Sequence, residues 1–392
     1  MRIDKSTWKI YKFGDIALNL KATVKDPSSE GFERYVGLEH IIPGNIHIKS
    51  WGNISDGTTF TRVFREGQVL FGKRRAYQKK VAIAEFDGVC SGDILVFKAN
   101  EKYLISELLP FITQSDKFFD YAVKTSAGSL SPRTKYKDLA KFKFKLPPLD
   151  EQKRLADLMW SVDKTITAYK KLLSNELLTR SVTLKNIFLS KTYKTTKINE
   201  LPIKEINGMW KTGETKDVMK VSIIRSTEIK PFGEISYNTA QRHTVKKFKF
   251  DNKKLIPGDI IIERSGGGPD QPVGRVCYFN EPDGNYTFSN FMSAIRIHNC
   301  NKVLPKYLFY FLLFFYEMKG TNRLQKQTTG IRNLDYDLYR KIKIPIRNIE
   351  EQKACLNTIE KIEKNRKSLE AYIILIKKIQ KQIINQIFGG KS

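Results

Sequence analysis

From Trp8 to about Lys145 the apolar residues fall in short runs broken by glycine turns, as in Gln68-Val-Leu-Phe, Lys80-Val-Ala-Ile-Ala and Asp93-Ile-Leu-Val-Phe. Runs of this length and composition predict β-strands. Farther along, Asp259-Ile-Ile-Ile, Gly274-Arg-Val-Cys-Tyr-Phe and Ala294-Ile-Arg-Ile predict a second set. A helical stretch follows each set, Leu104 to Phe119 and Pro305 to Glu317, and then a glycine-containing loop and a closing strand. An α+β globule with a curved antiparallel sheet is therefore expected, made twice.

After each globule the apolar period lengthens from two to about 3.6. The first stripe is Leu155, Met159, Val162, Ile166, Tyr169, Leu173, Leu177, Leu184, Ile187 and Phe188. Ile359, Ile362, Leu369, Ile373, Ile376, Ile379, Ile383 and Ile387 make the second. Roughly 35 residues at about 1.5 Å each give rods of roughly 50 Å. Alone, such a rod leaves its stripe in water, so the two stripes are expected to pair as an antiparallel, coiled-coil-like spacer with a globule at each end.

The two halves also match residue by residue. Leu146-Pro-Pro-Leu-Asp-Glu-Gln-Lys-Arg-Leu155 opens the first long helix and Ile346-Arg-Asn-Ile-Glu-Glu-Gln-Lys-Ala-Cys355 the second, an offset of 200. Upstream, Lys141-Phe-Lys-Phe matches Lys341-Ile-Lys-Ile, and a slip of two between Gly128 and Gly330 marks a loop of variable length. A pseudo-twofold internal repeat results, with globules over 1–147 and 191–346 and long helices over 148–190 and 347–392.

Charge changes the picture next. The 392 residues carry 69 Lys and Arg against 41 Asp and Glu, a net +28, which points to a polyanionic partner and first to nucleic acid. Cys90, Cys277, Cys300 and Cys355 never fall in a short paired spacing, so neither a zinc ribbon nor a disulfide framework is indicated and a reducing compartment is implied. Met1 to Ile10 lacks the apolar core of a secretory signal, and Tyr307 to Tyr316 is about half the length a bilayer crossing needs. A cytoplasmic protein without membrane segments is expected.

Catalytic motifs fail in turn. Gly67-Gln-Val-Leu-Phe-Gly72-Lys73 has phosphate-loop spacing, but Arg74 stands where a magnesium-binding hydroxyl belongs and a strand follows instead of a helix. Leu146-Pro-Pro-Leu149 lacks the amide and aromatic of an amino-methyltransferase loop. His40, His47, His243 and His298 are not at metal-ligand spacing, and no nuclease carboxylate set completes Pro269-Asp270 or Pro282-Asp283.

A basic cluster stands out instead. Between Arg62 and Lys80 seven positive residues face Glu66 alone, whereas the corresponding Arg264 to Arg275 is glycine-rich and carries Asp270 and Gln271. Basic side chains neutralise phosphates, while Arg, Gln, Asn and Asp read base edges. The candidate DNA contacts are Arg62, Lys73, Arg74, Arg75, Gln78, Lys79, Lys80, Ser126, Gly128 and Arg133 in the first copy. Those in the second are Arg242, Arg264, Asp270, Gln271, Arg275, Thr328, Thr329 and Arg332.

Together with Tyr35-Val-Gly-Leu-Glu-His40 and Gly258-Asp-Ile-Ile261, the duplicated helix starts make the whole chain resemble the specificity subunit of a type I restriction-modification system. Gly67-Gln-Val-Leu70 departs by writing Gln for the acid, and Arg347-Asn348 replaces the Pro-Pro pair. The resemblance implies two target recognition domains, each reading part of a split site on double-stranded DNA in the major groove. It implies helices that dock two methyltransferase subunits through Leu149, Glu151, Gln152, Leu155, Ile349, Glu351 and Gln352, with endonuclease subunits joining in the full complex. This chain would hold no catalytic group, metal or cofactor, and S-adenosylmethionine and ATP belong on the partners. Two alternatives stay open: a self-contained methyltransferase or nuclease, and a helical adaptor that ignores DNA.

Overall fold

The computed structural model describes residues 4–211, 216–268, 271–281, 284–328 and 331–389, with the side chains of 327 and 328 left aside. By contacts the chain divides into two units, residues 1–172 with 369–392, and 173–368. Each long helix, α1 (Leu149–Phe188) and α2 (Ile349–Phe388), therefore contributes one segment to each unit.

Unit 1 is built on strands β1 (Ala17–Leu20), β2 (Val69–Gly72), β3 (Val81–Ile83) and β4 (Ile94–Ala99), in the order β1-β4-β2-β3 with antiparallel pairs throughout. In unit 2 the strands β5 (Ile203–Asn207), β6 (Ile260–Glu263), β7 (Val276–Tyr278) and β8 (Met292–Ile297) repeat that order as β5-β8-β6-β7. Each of these sheets is antiparallel, as expected. A second sheet in each unit contains a parallel pair, Arg34–Val36 with Gly88–Cys90 and Val218–Ile224 with Tyr286–Phe288. The short β-runs alone do not reveal this crossover, because its partners are far apart in sequence.

The helix expected over Pro305–Glu317 forms over those residues, because its apolar side chains are buried on nearly every face. The one expected over Leu104–Phe119 is instead broken into Leu109–Gln114 and Asp116–Lys124. Ser115 turns to extended geometry (φ −62°, ψ 142°), donates its hydroxyl to the Ile112 carbonyl at 2.8 Å and caps the second helix through the Phe118 N–H.

In unit 1 the core joins Phe13, Phe71, Phe97, Phe111 and Phe118 to Leu155, Ala156 and Met159 of α1 and to Ile384, Ile387 and Phe388 of α2. Unit 2 packs Tyr307, Leu312 and Ile344 with Leu184, Ile187 and Phe188 of α1 and Leu356 and Ile359 of α2. Within each unit the start of one helix thus meets the end of the other, the antiparallel arrangement expected from the stripes.

The duplicated Glu-Gln pair is what ties helix to globule. Gln152, 1% exposed, accepts from the Ile105 N–H at 3.1 Å and donates to the Tyr103 and Pro147 carbonyls at 2.8 and 3.0 Å. Gln352, 0% exposed, accepts from the Leu304 N–H at 2.9 Å and donates to the Lys302 and Arg347 carbonyls at 3.0 and 2.9 Å. Glu151 accepts from the Trp8 indole and Glu351 from the Tyr193 hydroxyl, each at 3.2 Å. This corrects the expected docking role: Gln152, Gln352 and Leu155 face inward and offer no surface to a partner.

A lower clasp differs between the units. In unit 1 the His47 ring lies between Glu85 and Asp163 of α1, with Nε2 2.6 Å from the Asp163 carboxylate. Hydrogen bonding to Asp163 raises the His47 pKa above 6.5 against the opposing effect of burial. In unit 2 buried Arg366 bonds Glu363 at 2.7 Å and Glu234 at 2.6 Å, while Arg180 bonds Glu363 and, at 2.7 Å, Glu317. Both guanidinium groups stack on Phe232, at 4.0 and 4.9 Å from its ring centre.

Two outcomes follow from these contacts. Gln152→Leu or Gln352→Leu leaves one N–H and two carbonyls unpaired, so chemical denaturation should show a loss of about 2–5 kcal/mol for either. A raised histidine pKa gives stabilisation that is complete below the unfolded value of 6.5 and lost as pH rises through the folded value. Thermal melts taken below and then above that range should therefore show wild type losing its advantage over His47→Gln as pH rises.

Candidate nucleic-acid interface

β2 runs straight into the basic segment, whose shape is unusual for residues with side chains. Arg75 (φ 51°, ψ 56°) and Lys79 (φ 53°, ψ 46°) are both left-handed and bracket a single turn over Ala76–Gln78. Each such residue costs about 1–2 kcal/mol, so the surroundings must hold the loop in place. The Arg75 N–H donates to the Pro132 carbonyl at 2.7 Å, the Gly72 N–H to Lys80 at 2.9 Å, the Lys73 N–H to Asp93 at 2.9 Å and the Thr134 N–H to Lys73 at 3.0 Å.

These bonds bring the two predicted basic segments together. Arg133 pairs across to Arg74 and Ala127, and Ser131 Oγ accepts from both Arg74 at 3.1 Å and Arg75 at 3.3 Å. Asp93 holds the cluster: Arg133 donates to it through Nε at 2.7 Å and Nη2 at 3.2 Å, and Arg74 reaches it at 3.5 Å. The hydrogen bond from Arg133 keeps the Asp93 carboxyl below its ordinary value.

Other members of the predicted set have their groups occupied within the unit. Arg62 donates to the Ile94 carbonyl at 3.1 Å and Lys80 to Leu38 at 2.7 Å. Lys79 binds Asp116 at 2.5 Å, and the same carboxylate accepts from Asn385 at 2.7 Å. Ser126 turns its hydroxyl back to the Ala122 carbonyl at 2.8 Å. Lys73 and Gln78 are half-buried, and burial pulls the Lys73 ammonium below the usual lysine value. Gly128, at φ 111°, supplies a left-handed position that opens the second loop.

Unit 2 repeats the frame and changes the contents. β6 leads into Ser265–Gly267, which pairs with Ile331–Leu334, itself the partner of Gln325–Thr328. The Leu334 N–H donates to the Arg264 carbonyl at 2.8 Å, the counterpart of Thr134 to Lys73. Gly267 leaves no room for a side chain, since a Cβ there would lie 2.8 Å from the Gln271 carbonyl. Arg264 stacks on Tyr336 at 4.3 Å and donates to Ser293 at 3.2 Å.

Arg275 is held by buried Glu263 through two bonds of 2.8 and 2.6 Å, so its charge is neutralised inside the fold. Gln271 and Arg242 are exposed, and Arg332 is half-buried in its strand. Asp270 and Thr329 lie outside the described residues, as does the side chain of Thr328. Among the described residues no cluster of His, Cys, Asp and Glu could hold a metal ion, and no helix is long and apolar enough to cross a membrane.

Sequence reasoning passed over Asp93 and Ser131, the groups that position the arginines. Gly92-Asp93 before a strand was a signal for the first; for Ser131 only proximity to Arg133 was available. The Gln of Gly67-Gln-Val-Leu70 is also explained: Gln68 accepts the Arg65 N–H at 2.9 Å, as Asp259 accepts that of Ile256 at 2.9 Å.

A family model described as the type I restriction modification DNA specificity domain matches residues 5–179 and again 207–387. The chain belongs to this family of specificity subunits. The MjaVIII specificity subunit of Methanocaldococcus jannaschii is 23% identical over 432 aligned positions, covering 98% of this chain and 92% of that one. The EcoDI specificity subunit of Escherichia coli is 30% identical over 156 residues, 38% of this chain and 33% of that protein. Among solved structures, the type I S subunit from M. genitalium superposes with a TM-score of 0.59 at 12% identity, covering 100% and 99% of the two chains. A chain from a type I R-M system solved for its complex assembly and conformational transition gives 0.59 at 17% identity and 97% coverage of each.

Specificity subunits are the recognising, non-catalytic components of type I systems, and the two family segments coincide with the two halves of the internal repeat. In such a subunit Asp93→Ala removes a negative charge from the basic loop, which by charge alone would tighten DNA binding. The geometry gives the opposite sign. Freed from Asp93, Arg74 and Arg133 lose their position, and a titration of the variant against cognate duplex should show affinity reduced about tenfold, or about 1.4 kcal/mol.

Proposed function

We propose that each unit reads one half of a bipartite site on double-stranded DNA, placing its loop pair in the major groove. Lys73–Lys80 with Ser126–Arg133 does so in unit 1, and Ser265–Gln271 with Gln325–Leu334 in unit 2. One observation carries this reading: the loops that sequence singled out are joined by equivalent backbone hydrogen bonds beyond equivalent strands, yet one pair is basic and the other glycine-rich. Equivalent placement suits one kind of partner, and unlike contents suit two different half-sites.

The helices serve as the docking elements for two methyltransferase subunits, with S-adenosylmethionine and ATP held by the partners. Exposed apolar side chains support this role, Leu172, Ile374, Leu375 and Ile379 in unit 1 and Leu178 and Val182 in unit 2. They replace the buried motif residues as the surface a partner would cover.

Sequencing of DNA methylated by the assembled complex should return a split motif, and a continuous one would overturn the two-reader reading. Arg74→Glu with Arg75→Glu should weaken binding across all sequences and flatten the salt dependence by about one to two phosphate contacts. Unchanged salt dependence would remove that loop from the interface.

A further inference from the structure

Two large side chains with apolar surface stand exposed on the basic loops of unit 1. Leu130, at the tip between Gly128 and Ser131, is 90% exposed, and Tyr77, at the tip of the turn between Arg75 and Lys79, is 56% exposed. The two tips are stapled to each other, since Arg75 bonds the Pro132 carbonyl at 2.7 Å and the Ser131 hydroxyl at 3.3 Å. Backbone strain at Arg75 and Lys79 fixes Tyr77 where it is, because the left-handed pair leaves the turn no relaxed alternative while those bonds persist.

Exposed Leu and Tyr on a rigid, cationic loop are poor choices for water and for phosphates. They suit the faces of bases, which offer apolar and π surface once a step is opened. Arg74 and Arg133, oriented by Asp93, flank the tips and supply the phosphate contacts that would hold the loops against the duplex.

We infer that Leu130 and Tyr77 form a wedge that enters and unstacks one base step of the half-site read by unit 1. This rests on the DNA-reading role proposed above and adds to it the chemistry of recognition, shape and deformability of one step alongside hydrogen bonding at base edges. In unit 2 the segment that corresponds to the Tyr77 turn is built from Gly266, Gly267 and Gly268 and carries no aromatic side chain.

The test uses the full chain in its assembled methyltransferase complex and cognate duplexes with 2-aminopurine placed at successive positions of the half-site. Fluorescence should rise severalfold at one step on binding. Leu130→Ser and Tyr77→Ala should each abolish most of that rise and weaken cognate binding about tenfold while leaving the salt dependence as in wild type, and Leu130→Met, which keeps an apolar tip, should restore it. Salt-dependent binding with no fluorescence rise at any step, or a rise that survives Leu130→Ser and Tyr77→Ala together, overturns the wedge and leaves the DNA-reading role standing. Absence of any salt-dependent binding by the wild-type complex overturns both.

Discussion

Everything in this chain hangs on two buried amides. Gln152 and Gln352 each satisfy one N–H and two carbonyls of the globule from the first turn of a long helix, and they do so through the same three kinds of bond. A glutamine is suited to this because its side chain is both donor and acceptor; a carboxylate would meet two carbonyls with no proton to give, and a lysine would leave the N–H unpaired. With the helix start fixed, the strand closing each globule and the helix leaving it share one rigid frame. The proposed docking surface on the helices and the proposed DNA-reading loops then belong to a single body within each unit.

Frame and loops obey different constraints. The frame must satisfy the backbone groups around Gln152 and Gln352 and bury α1 against α2, so sheet order, Gln hydrogen bonds and apolar stripes repeat. The lower clasps escape this requirement. The clasp of unit 1 is a histidine set between two carboxylates, Glu85 and Asp163, whereas unit 2 sets the guanidinium groups of Arg180 and Arg366 on Glu363. These are two solutions to the same task, pinning a loop to a helix, and the histidine makes the one in unit 1 sensitive to protonation.

Periodicity made the long helices, the repeat and the strands β2, β4, β6 and β8 legible in the sequence, because alternation and the 3.6 period are local signals. The break at Ser115 was hidden: apolar residues run through it, and only the hydroxyl's competition for backbone groups ends the helix there. Parallel pairing between Arg34–Val36 and Gly88–Cys90 was hidden as well, since no local pattern encodes a partner some fifty residues away. The Glu-Gln-Lys motif was visible, but its repetition suggested a surface for partners throughout, whereas its glutamines are buried in an interior joint.

The candidate interface shows the same limit of charge counting. Seven positive residues between Arg62 and Lys80 look like seven contacts for phosphate. In the fold, Arg62 and Lys80 satisfy carbonyls, Lys79 neutralises Asp116, and Arg74 shares Asp93 with Arg133. A basic loop free of such partners would be flexible, and ordering it on DNA would cost about 1–2 kcal/mol for each residue fixed. Here that ordering has already occurred during folding, through Asp93, Ser131 and two left-handed residues. On the proposed reading, fewer cations are left for phosphate, which lowers non-specific affinity, while those that are left sit in one geometry suited to favouring one sequence over another. For a subunit that reads DNA as proposed, acidic residues among the arginines are thus an advantage: Asp93 gives Arg74 and Arg133 a fixed position, which another lysine in its place would not do.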